Sequence, residues 1–182
     1  MAGPARPVAI LGLGLIGGSV ARALGRAGGW RVIAWSRSRE ALDRAVVDGV
    51  VDEVAADPLA AAAAAPLVVL ATPVPVILAT ISTLGPGLAA AGSLVTDVGS
   101  SKSLVMAAAA RVPGLRFVGG HPMSGAGSAG YGASRASLFD ERPWVVVPGP
   151  TSGPADLAAV HDLARACGAR PVQMDAASHD RA

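Results

Sequence analysis

Short apolar runs alternate with amphipathic or alanine-rich stretches along the whole chain. Leu67–Ala71 is apolar throughout, as in strands that are buried on both faces of a parallel sheet. The other runs of strand length are Val8–Leu11, Arg31–Trp35, Ser93–Thr96, Phe117–Val118, Trp144–Val147 and Pro171–Gln173. This alternation predicts an α/β fold with a doubly wound, mostly parallel sheet.

Helices are predicted between these strands. Ser38 has the position of an N-cap, and Asp57 precedes a proline at the first helical position of a short helix. The predicted helices are Ser19–Ala27, Ser38–Asp48, Asp57–Ala65, Pro75–Leu84, Ser101–Arg111 and Asp156–Cys167, the last ended by Gly168. Gly119–Ser137 departs from the pattern: it is too glycine-rich for a helix and too long for an ordinary connection, so it predicts a functional loop.

Three glycines follow the first strand at the spacing G-x-G-x-x-G. Gly12 lets the chain turn sharply, Gly14 leaves room for a pyrophosphate, and Gly17 lets the next helix pack closely on the strand. The helix begins near Leu15 and Ile16, and its free N–H groups favour an anion. The context predicts a Rossmann-type dinucleotide site, against the alternative of a structural glycine turn.

Composition narrows the class of protein. The chain has 182 residues, of which 52% are hydrophobic and 15% charged, and its net charge is +2 with the basic residues scattered. The sequence shows no basic patch, and aromatic residues make up only 3%, too few for a base-stacking surface. Nucleic-acid binding is therefore not expected. No signal peptide or membrane span is expected, and a single cysteine fits a reducing compartment. We therefore expect a cytoplasmic protein without a membrane partner. No metal site is expected either.

The second predicted strand ends without the acidic residue that usually binds the ribose 2′-hydroxyl of NAD. Ser36, Arg37 and Ser38 stand there instead. An arginine can pair with a 2′-phosphate or stack on adenine, and serines can donate to the phosphate, so NADP is favoured over NAD. The alternative is that the arginine is only a solvated residue at the start of a helix.

Polar residues follow several predicted strands, at the edge where open α/β folds bind ligands. Asp97 and Ser100 come after one strand and His121 after the next, although Asp97 or Ser100 could simply cap the following helix. His161 and His179 are expected to be exposed. Thr72, Pro73 and Val74 follow the buried strand Leu67–Ala71 and fit either a cofactor contact or a proline turn.

Four segments taken together resemble one family. GLGLIGGS, ATPV, DVGSSK and GGHPMSG, in this order and spacing, are similar to the prephenate/arogenate dehydrogenases of tyrosine biosynthesis. The resemblance covers nearly the whole chain. It implies NAD(P)-dependent oxidation and decarboxylation of prephenate or arogenate, and it places the ATPV turn against the cofactor.

The resemblance also implies roles for individual residues. His121 matches the family's catalytic histidine, which accepts a hydrogen bond from the ring hydroxyl and takes its proton. Ser100 matches a serine that orients the hydroxyl, the histidine and the nicotinamide. Asp97 and Lys102 match supporting positions, Asp97 beside the cofactor.

The chain departs from the family in three respects. Ala126 and Gly127 stand where many relatives have a hydroxyl residue and a glutamate, which puts the substrate preference in doubt. No acid stands at Ser36. Residues 1–174 are expected to form the dinucleotide-binding domain and 175–182 to begin the helix that leads into a helical, dimerising domain of the family. The chain as given is therefore expected to be an inactive fragment, and the full-length form a homodimer.

Two other functions remain open. A β-hydroxyacid dehydrogenase similar to 3-hydroxyisobutyrate dehydrogenase shares the glycine pattern, but His121 argues against it. A non-catalytic NADP-binding module is favoured by Ala126 and Gly127, whereas His121 together with Ser100 favours an enzyme.

Overall fold

A computed structural model describes residues 4–125, 127 and 129–182 of the chain. The strands are β1 (Arg6–Leu11), β2 (Trp30–Trp35), β3 (Glu53–Val54), β4 (Leu67–Leu70), β5 (Leu94–Asp97), β6 (Arg116–Pro122), β7 (Pro143–Val147) and β8 (Arg170–Gln173). The helices are α1 (Leu15–Ala27), α2 (Arg39–Val47), α3 (Pro58–Ala63), α4 (Val74–Ala90), α5 (Lys102–Ala110), α6 (Pro154–Ala166) and α7 (Ala176–Arg181), with a 3₁₀ turn at Tyr131–Ala133.

The eight strands form one sheet in the order β3-β2-β1-β4-β5-β6-β7-β8. All neighbours are parallel except β6 and β7, which run antiparallel. The chain winds outward from β1 to β3 and then returns to β4 on the other side of β1, which opens a crevice at the carboxyl ends of these strands. The predicted doubly wound, mostly parallel fold is confirmed.

Both faces of the sheet are covered by helices. Along β1, Val8 and Ile10 belong to the core cluster that includes residues of α1, α2 and α6, whereas Ala9 and Leu11 belong to the cluster that includes residues of α3, α4 and α5. Successive side chains of a strand point to opposite faces, so a strand that is buried on both sides must be apolar at every position. The continuous apolar runs in the sequence reflect this arrangement.

Helix α4 is longer than its sequence predicts. The expected end at Leu84 is wrong, because the helix passes through Pro86 and continues to Ala90. Proline removes one backbone hydrogen bond, and here the packing of Ile77, Ile81 and Leu88 into the core keeps the helix together. No helix in the described part of the chain is long and apolar enough to cross a membrane.

The predicted loop Gly119–Ser137 is wrong in its first four residues. Gly119 and Gly120 belong to β6 and pair with Val147 and Val146 of β7. A Cβ atom at Gly119 would lie 2.7 Å from the sulfur of Met106, and one at Gly120 would overlap the Asp97 carbonyl oxygen. These glycines therefore permit close packing of a strand, whereas the glycine content of the sequence predicts a loop.

Candidate active site at the carboxyl edge of the sheet

The glycine turn after β1 has the geometry that its sequence predicts. Gly12 has φ +106, a backbone conformation that side chains disfavour, and a Cβ there would lie 2.7 Å from the Ala71 carbonyl oxygen. A Cβ at Gly17 would overlap the Gly12 carbonyl oxygen, whereas one at Gly14 would meet nothing within 4 Å. Gly12 and Gly17 thus hold the turn together, and Gly14 leaves open space at the start of α1.

The N-terminus of α1 is prepared for an anion. Its N-cap, Gly14, has no side chain that could accept a hydrogen bond from the first turn, and that turn contains no acidic residue. Free N–H groups and the positive end of the helix dipole therefore face the open space above Gly14. This arrangement fits the pyrophosphate of a dinucleotide.

Two crevices meet over Gly14 and share Thr72 and Pro73. The first, of about 560 Å³, is lined by Gly12, Ser36, Arg37, Ser38 and Tyr131 among others. The second, of about 530 Å³, is lined by Leu15, Ile16, Val74, Ser100 and His121 among others. The structure thus brings together every residue that the sequence predicts for the site except Gly17 and Asp97, neither of which lines a crevice.

The rim of the first crevice carries a free arginine. Ser38 is the N-cap of α2 and accepts a hydrogen bond from the Ala41 N–H at 3.2 Å, while the Ser36 hydroxyl accepts one from the Ser38 N–H at 3.3 Å. Arg37 is exposed, and no ion pair of its side chain occurs among the described residues. Its guanidinium is therefore available to a ligand in the crevice.

Asp97 is a correction to the predicted cofactor contacts. Its side chain has no exposed surface and forms an ion pair with Lys102, which is also fully buried. The carboxylate accepts hydrogen bonds from the Gly99 N–H at 2.8 Å and the Gly120 N–H at 3.1 Å, and the Lys102 ammonium donates to the Gly120 carbonyl at 2.7 Å. Burial raises the pKa of Asp97 and lowers that of Lys102, and the ion pair opposes both shifts.

The buried ion pair fixes the backbone just before the candidate base. Both polar backbone groups of Gly120 are bound by Asp97 and Lys102, and His121 follows directly. Its imidazole reaches the second crevice beside Ser100. Burial, together with the nearby His179 and Lys102, lowers the pKa of His121 to about 4, so the ring is neutral at physiological pH.

His179 is the functional residue that sequence reasoning missed. The expectation that it is exposed is wrong: only 7% of its surface is accessible, because α7 packs back on α5. Its Nε2 lies 2.8 Å from Nδ1 of His121, and its Nδ1 lies 2.7 Å from the Asp180 carboxylate. No local signal marks a contact between residues 58 positions apart in sequence.

Asp180 also replaces the expected helix cap. Neither Asp97 nor Ser100 caps α5, whose N-cap is Ser101 without a side-chain cap bond. Instead the Asp180 carboxylate accepts hydrogen bonds from the Lys102 and Ser103 N–H groups at 2.8 and 2.9 Å. Burial acts to raise the pKa of Asp180, but these hydrogen bonds and that of His179 outweigh it and hold the pKa well below its usual range.

The remaining predictions concern Ala126, Gly127 and His161. Ala126 lies outside the described residues, and Gly127 is exposed. His161 is partly buried rather than exposed, in α6, and its Nε2 has no partner in the described part of the molecule. Within the residues described, no group of three or more His, Cys, Asp or Glu side chains could hold a metal ion.

The doubly wound sheet, the glycine turn and the crevice over Gly14 define a dinucleotide-binding domain of the Rossmann type. The chain belongs to the prephenate dehydrogenase family: residues 20–173 match that family's nucleotide-binding domain. The prephenate dehydrogenase of Bacillus subtilis is 34% identical over 176 residues, which are 95% of this chain and 47% of that protein.

Solved structures agree with this assignment. Synechocystis arogenate dehydrogenase is 31% identical, with a TM-score of 0.86 over 96% of this chain and 62% of that one. Prephenate dehydrogenase of Aquifex aeolicus, in complex with hydroxyphenyl propionate and NAD⁺, is 26% identical, with a TM-score of 0.84 over 99% of this chain and 63% of that one. The chain spans about half the length of the curated relatives it matches.

Proposed function

We propose that this chain is the nucleotide-binding part of a dehydrogenase that oxidises and decarboxylates prephenate or arogenate with a nicotinamide dinucleotide. The observation that carries the proposal is the position of His121, a neutral imidazole beside Ser100 in a crevice continuous with the glycine turn. A relative that carries NAD⁺ and an aromatic acid in its structure supports both ligand classes.

The cofactor is held by residues of the two crevices. The N-terminus of α1 binds the pyrophosphate over Gly14, and Thr72, Pro73 and Val74 line the path to the second crevice. A bound nicotinamide would supply the hydride acceptor for the substrate carbon that carries the hydroxyl. The residues of this chain take part in the reaction by binding and releasing one proton.

His121 is the base for that proton. Its neutral ring accepts a hydrogen bond from the substrate hydroxyl and takes the proton as the carbon is oxidised, and Ser100 orients the hydroxyl. As carbon dioxide leaves, the electron pair of its C–C bond moves into the ring, the ring becomes aromatic, and the ring oxygen takes the proton back from His121. A pKa of about 4 keeps His121 neutral and able to act as a base across the physiological range.

We propose NADP as the preferred cofactor. The support is the exposed Arg37 between two serines at the end of β2, where no carboxylate stands. A guanidinium binds a 2′-phosphate through charge-assisted hydrogen bonds.

The substrate site needs residues beyond the second crevice. Its lining has no arginine or lysine among the described residues, although both proposed substrates carry carboxylates. We therefore expect the 182-residue chain alone to bind the dinucleotide without turning over prephenate. The helical dimerising domain that the resemblance implies remains a prediction.

The cofactor proposal is tested by calorimetric titration of this chain with NAD⁺ and NADP⁺ separately. Expected is an NADP⁺ preference of at least about tenfold, which Arg37→Asp abolishes, since one charge-assisted contact is worth about 1.5–3 kcal/mol. Arg39→Asp, which removes an arginine that pairs with Asp43, is the matched control and should leave the preference intact. Equal affinities for the two cofactors would refute the NADP proposal.

The activity is tested in the longest natural form of the protein by following reduced nicotinamide on addition of prephenate, arogenate or 3-hydroxyisobutyrate. Turnover of prephenate or arogenate is expected, and His121→Asn should lower kcat by at least about 10²-fold while cofactor affinity stays unchanged. Turnover of 3-hydroxyisobutyrate alone would show a β-hydroxyacid dehydrogenase. Cofactor binding without turnover of any substrate would favour a non-catalytic module.

A further inference from the structure

Three side chains form a continuous chain of hydrogen bonds that ends at the candidate base. The Asp180 carboxylate lies 2.7 Å from Nδ1 of His179, and Nε2 of His179 lies 2.8 Å from Nδ1 of His121. His179 is almost fully buried, and His121 is partly buried. Of the four ring nitrogens of His121 and His179, Nε2 of His121 is the one without a hydrogen-bond partner in the described structure.

At the Asp180 end of this row of hydrogen bonds, donor and acceptor are fixed. The Asp180 carboxylate accepts hydrogen bonds from two backbone N–H groups at the start of α5, and a helix N-terminus stabilises negative charge. An ionised carboxylate can only accept hydrogen bonds, so Nδ1 of His179 must carry a proton. When His179 is neutral, its Nε2 has a lone pair and accepts a hydrogen bond from Nδ1–H of His121.

We propose that His179 and Asp180 are positioning residues that hold His121 in the tautomer with the proton on Nδ1, which leaves the lone pair of Nε2 free to accept the substrate proton. This proposal deepens the proposed function and rests on it for its catalytic meaning. The tautomer itself is a property of the protein without any ligand.

The arrangement also determines where charge goes during the reaction. The proton leaves the substrate oxygen and binds to Nε2 of His121, and no other bond in the protein breaks. The resulting imidazolium keeps its Nδ1 proton and donates it to His179, whose own proton points at the Asp180 carboxylate. Burial, His179 and Lys102 disfavour this charge, whereas the Asp180 carboxylate favours it and so stabilises the imidazolium.

The hydrogen bond between the two rings would run in the opposite direction if His179 were doubly protonated. If His179 carried protons on both nitrogens, it would donate to Nδ1 of His121, and the proton of a neutral His121 would lie on Nε2. Such a ring cannot take a proton from a substrate. The two arrangements therefore differ in a single observable, the nitrogen of His121 that carries the proton.

Nitrogen-15 NMR of the imidazoles measures this directly on the 182-residue chain. The chain has only three histidines, so single substitutions assign every signal. At neutral pH we expect His121 as the Nδ1–H tautomer. In His179→Leu its population should fall about two-fold or more, since an unpartnered neutral ring exchanges between tautomers. His179→Gln should restore it, because the amide oxygen can accept from Nδ1–H.

His161→Gln is the matched control, because His161 lies on α6 outside the chain of hydrogen bonds, and it should leave the His121 tautomer unchanged. An Nε2–H tautomer of His121 in the unmodified chain would overturn the proposal, as would an unchanged tautomer in His179→Leu. If His179→Leu does not fold, the unmodified chain and His179→Gln still decide between the arrangements.

Kinetics connect the tautomer to catalysis. In the longest natural form, His179→Leu should lower kcat by roughly 10²-fold with little change in KM or cofactor affinity, and His179→Gln should recover much of it. Absence of prephenate or arogenate turnover in the unmodified protein would refute the proposed function and leave the tautomer result standing. Full turnover by His179→Leu would refute the positioning role alone.

Discussion

The two ends of the ligand crevice are built in different ways. The cofactor end depends on a contiguous stretch, Gly12–Gly17, in which the backbone itself forms the binding surface. The proposed catalytic end is assembled from residues of β5, α5, β6 and α7, held together by side-chain hydrogen bonds. A local turn can be recognised in a sequence, whereas a network of long-range hydrogen bonds becomes visible only in three dimensions.

The largest expected effect comes from breaking the buried ion pair at the catalytic end. Lys102→Met leaves the Asp97 carboxylate buried without its cation and should cost about 3–5 kcal/mol of the free energy of unfolding at pH 7. Because burial raises the pKa of Asp97, protonation in acid removes this penalty, so the loss should be smaller at low pH. Urea unfolding at several pH values measures it.

The double variant Asp97→Asn/Lys102→Met serves as the control for that experiment. It removes both charges, should be more stable than Lys102→Met alone, and should lack the part of the pH dependence that comes from Asp97. A cost below about 1 kcal/mol for Lys102→Met would contradict a structural role of the buried pair.

Two neighbouring glycines test the cofactor end. Gly17→Ala places a Cβ on the Gly12 carbonyl oxygen and should cost about 3 kcal/mol of stability, at the upper end for overpacking. Gly14→Ala meets nothing and should change stability by less than about 0.5 kcal/mol, yet it should weaken dinucleotide binding. Thermal unfolding and calorimetric titration separate the two effects. Equal losses of stability would contradict the division of roles between these glycines.

The lowered pKa of His121 predicts an acid sensitivity of the fold. Its ordinary value of 6.5 applies to the unfolded chain, which therefore binds a proton before the folded chain does, with its pKa of about 4. Between these pH values, stability should fall as the pH falls. The effect is about 2 kcal/mol, since one pKa unit is worth about 1.4 kcal/mol and the ring is only partly buried.

His121→Asn removes this titration and should flatten the pH dependence of stability in that window. Urea unfolding at pH 7 and pH 4.5 makes the comparison, with His161→Gln as the control histidine. A variant that loses as much stability in acid as the unmodified chain would argue against the lowered pKa of His121.

A single hydrogen bond at the first crevice should have a modest effect on stability. The Tyr131 hydroxyl donates to Asp48 at 2.8 Å, and Arg22 lies over its ring at 4.8 Å while also binding Asp48. Tyr131→Phe keeps the ring and loses one hydrogen bond, so it should cost about 1 kcal/mol. Burial and the bond to Asp48 raise the pKa of Tyr131 to about 12, so the hydroxyl remains a donor above pH 10. An ultraviolet titration of the chain's single tyrosine tests the shift.

The same division explains how far the sequence could predict the molecule. The order of strands and helices follows from apolar periodicity, and the caps Ser38 and Asp57 are local contacts that lie where expected. The ends of α4 and β6 were missed, because packing of Ile81 and Leu88 outweighs a proline and because glycines can serve strand packing. Ser100 and His121 were predicted as site residues by their place after strands and by resemblance to a family.

The roles of Asp97, His179 and Asp180 could not be predicted in the same way. His179 and Asp180 act through partners far away in the sequence, 58 residues for His179 and His121 and 78 for Asp180 and Lys102. Asp97 binds Lys102, only 5 residues away, but it also binds the Gly120 N–H, 23 residues away. An acidic residue after a strand is equally compatible with a ligand contact, a helix cap or a buried ion pair. Only the fold decides which partner it meets.

The use of Asp180 as a cap for α5 has a consequence for the order of events during synthesis. The glycine turn and its neighbouring strands β1, β2 and β4 lie within the first 70 residues, so they leave the ribosome long before residue 180. A growing chain can thus acquire its nucleotide-binding surface early, while the N-terminus of α5 and the ring of His121 still lack their partners. In our proposal, His121 therefore acquires its positioning partners only after the residues of the glycine turn have been synthesised.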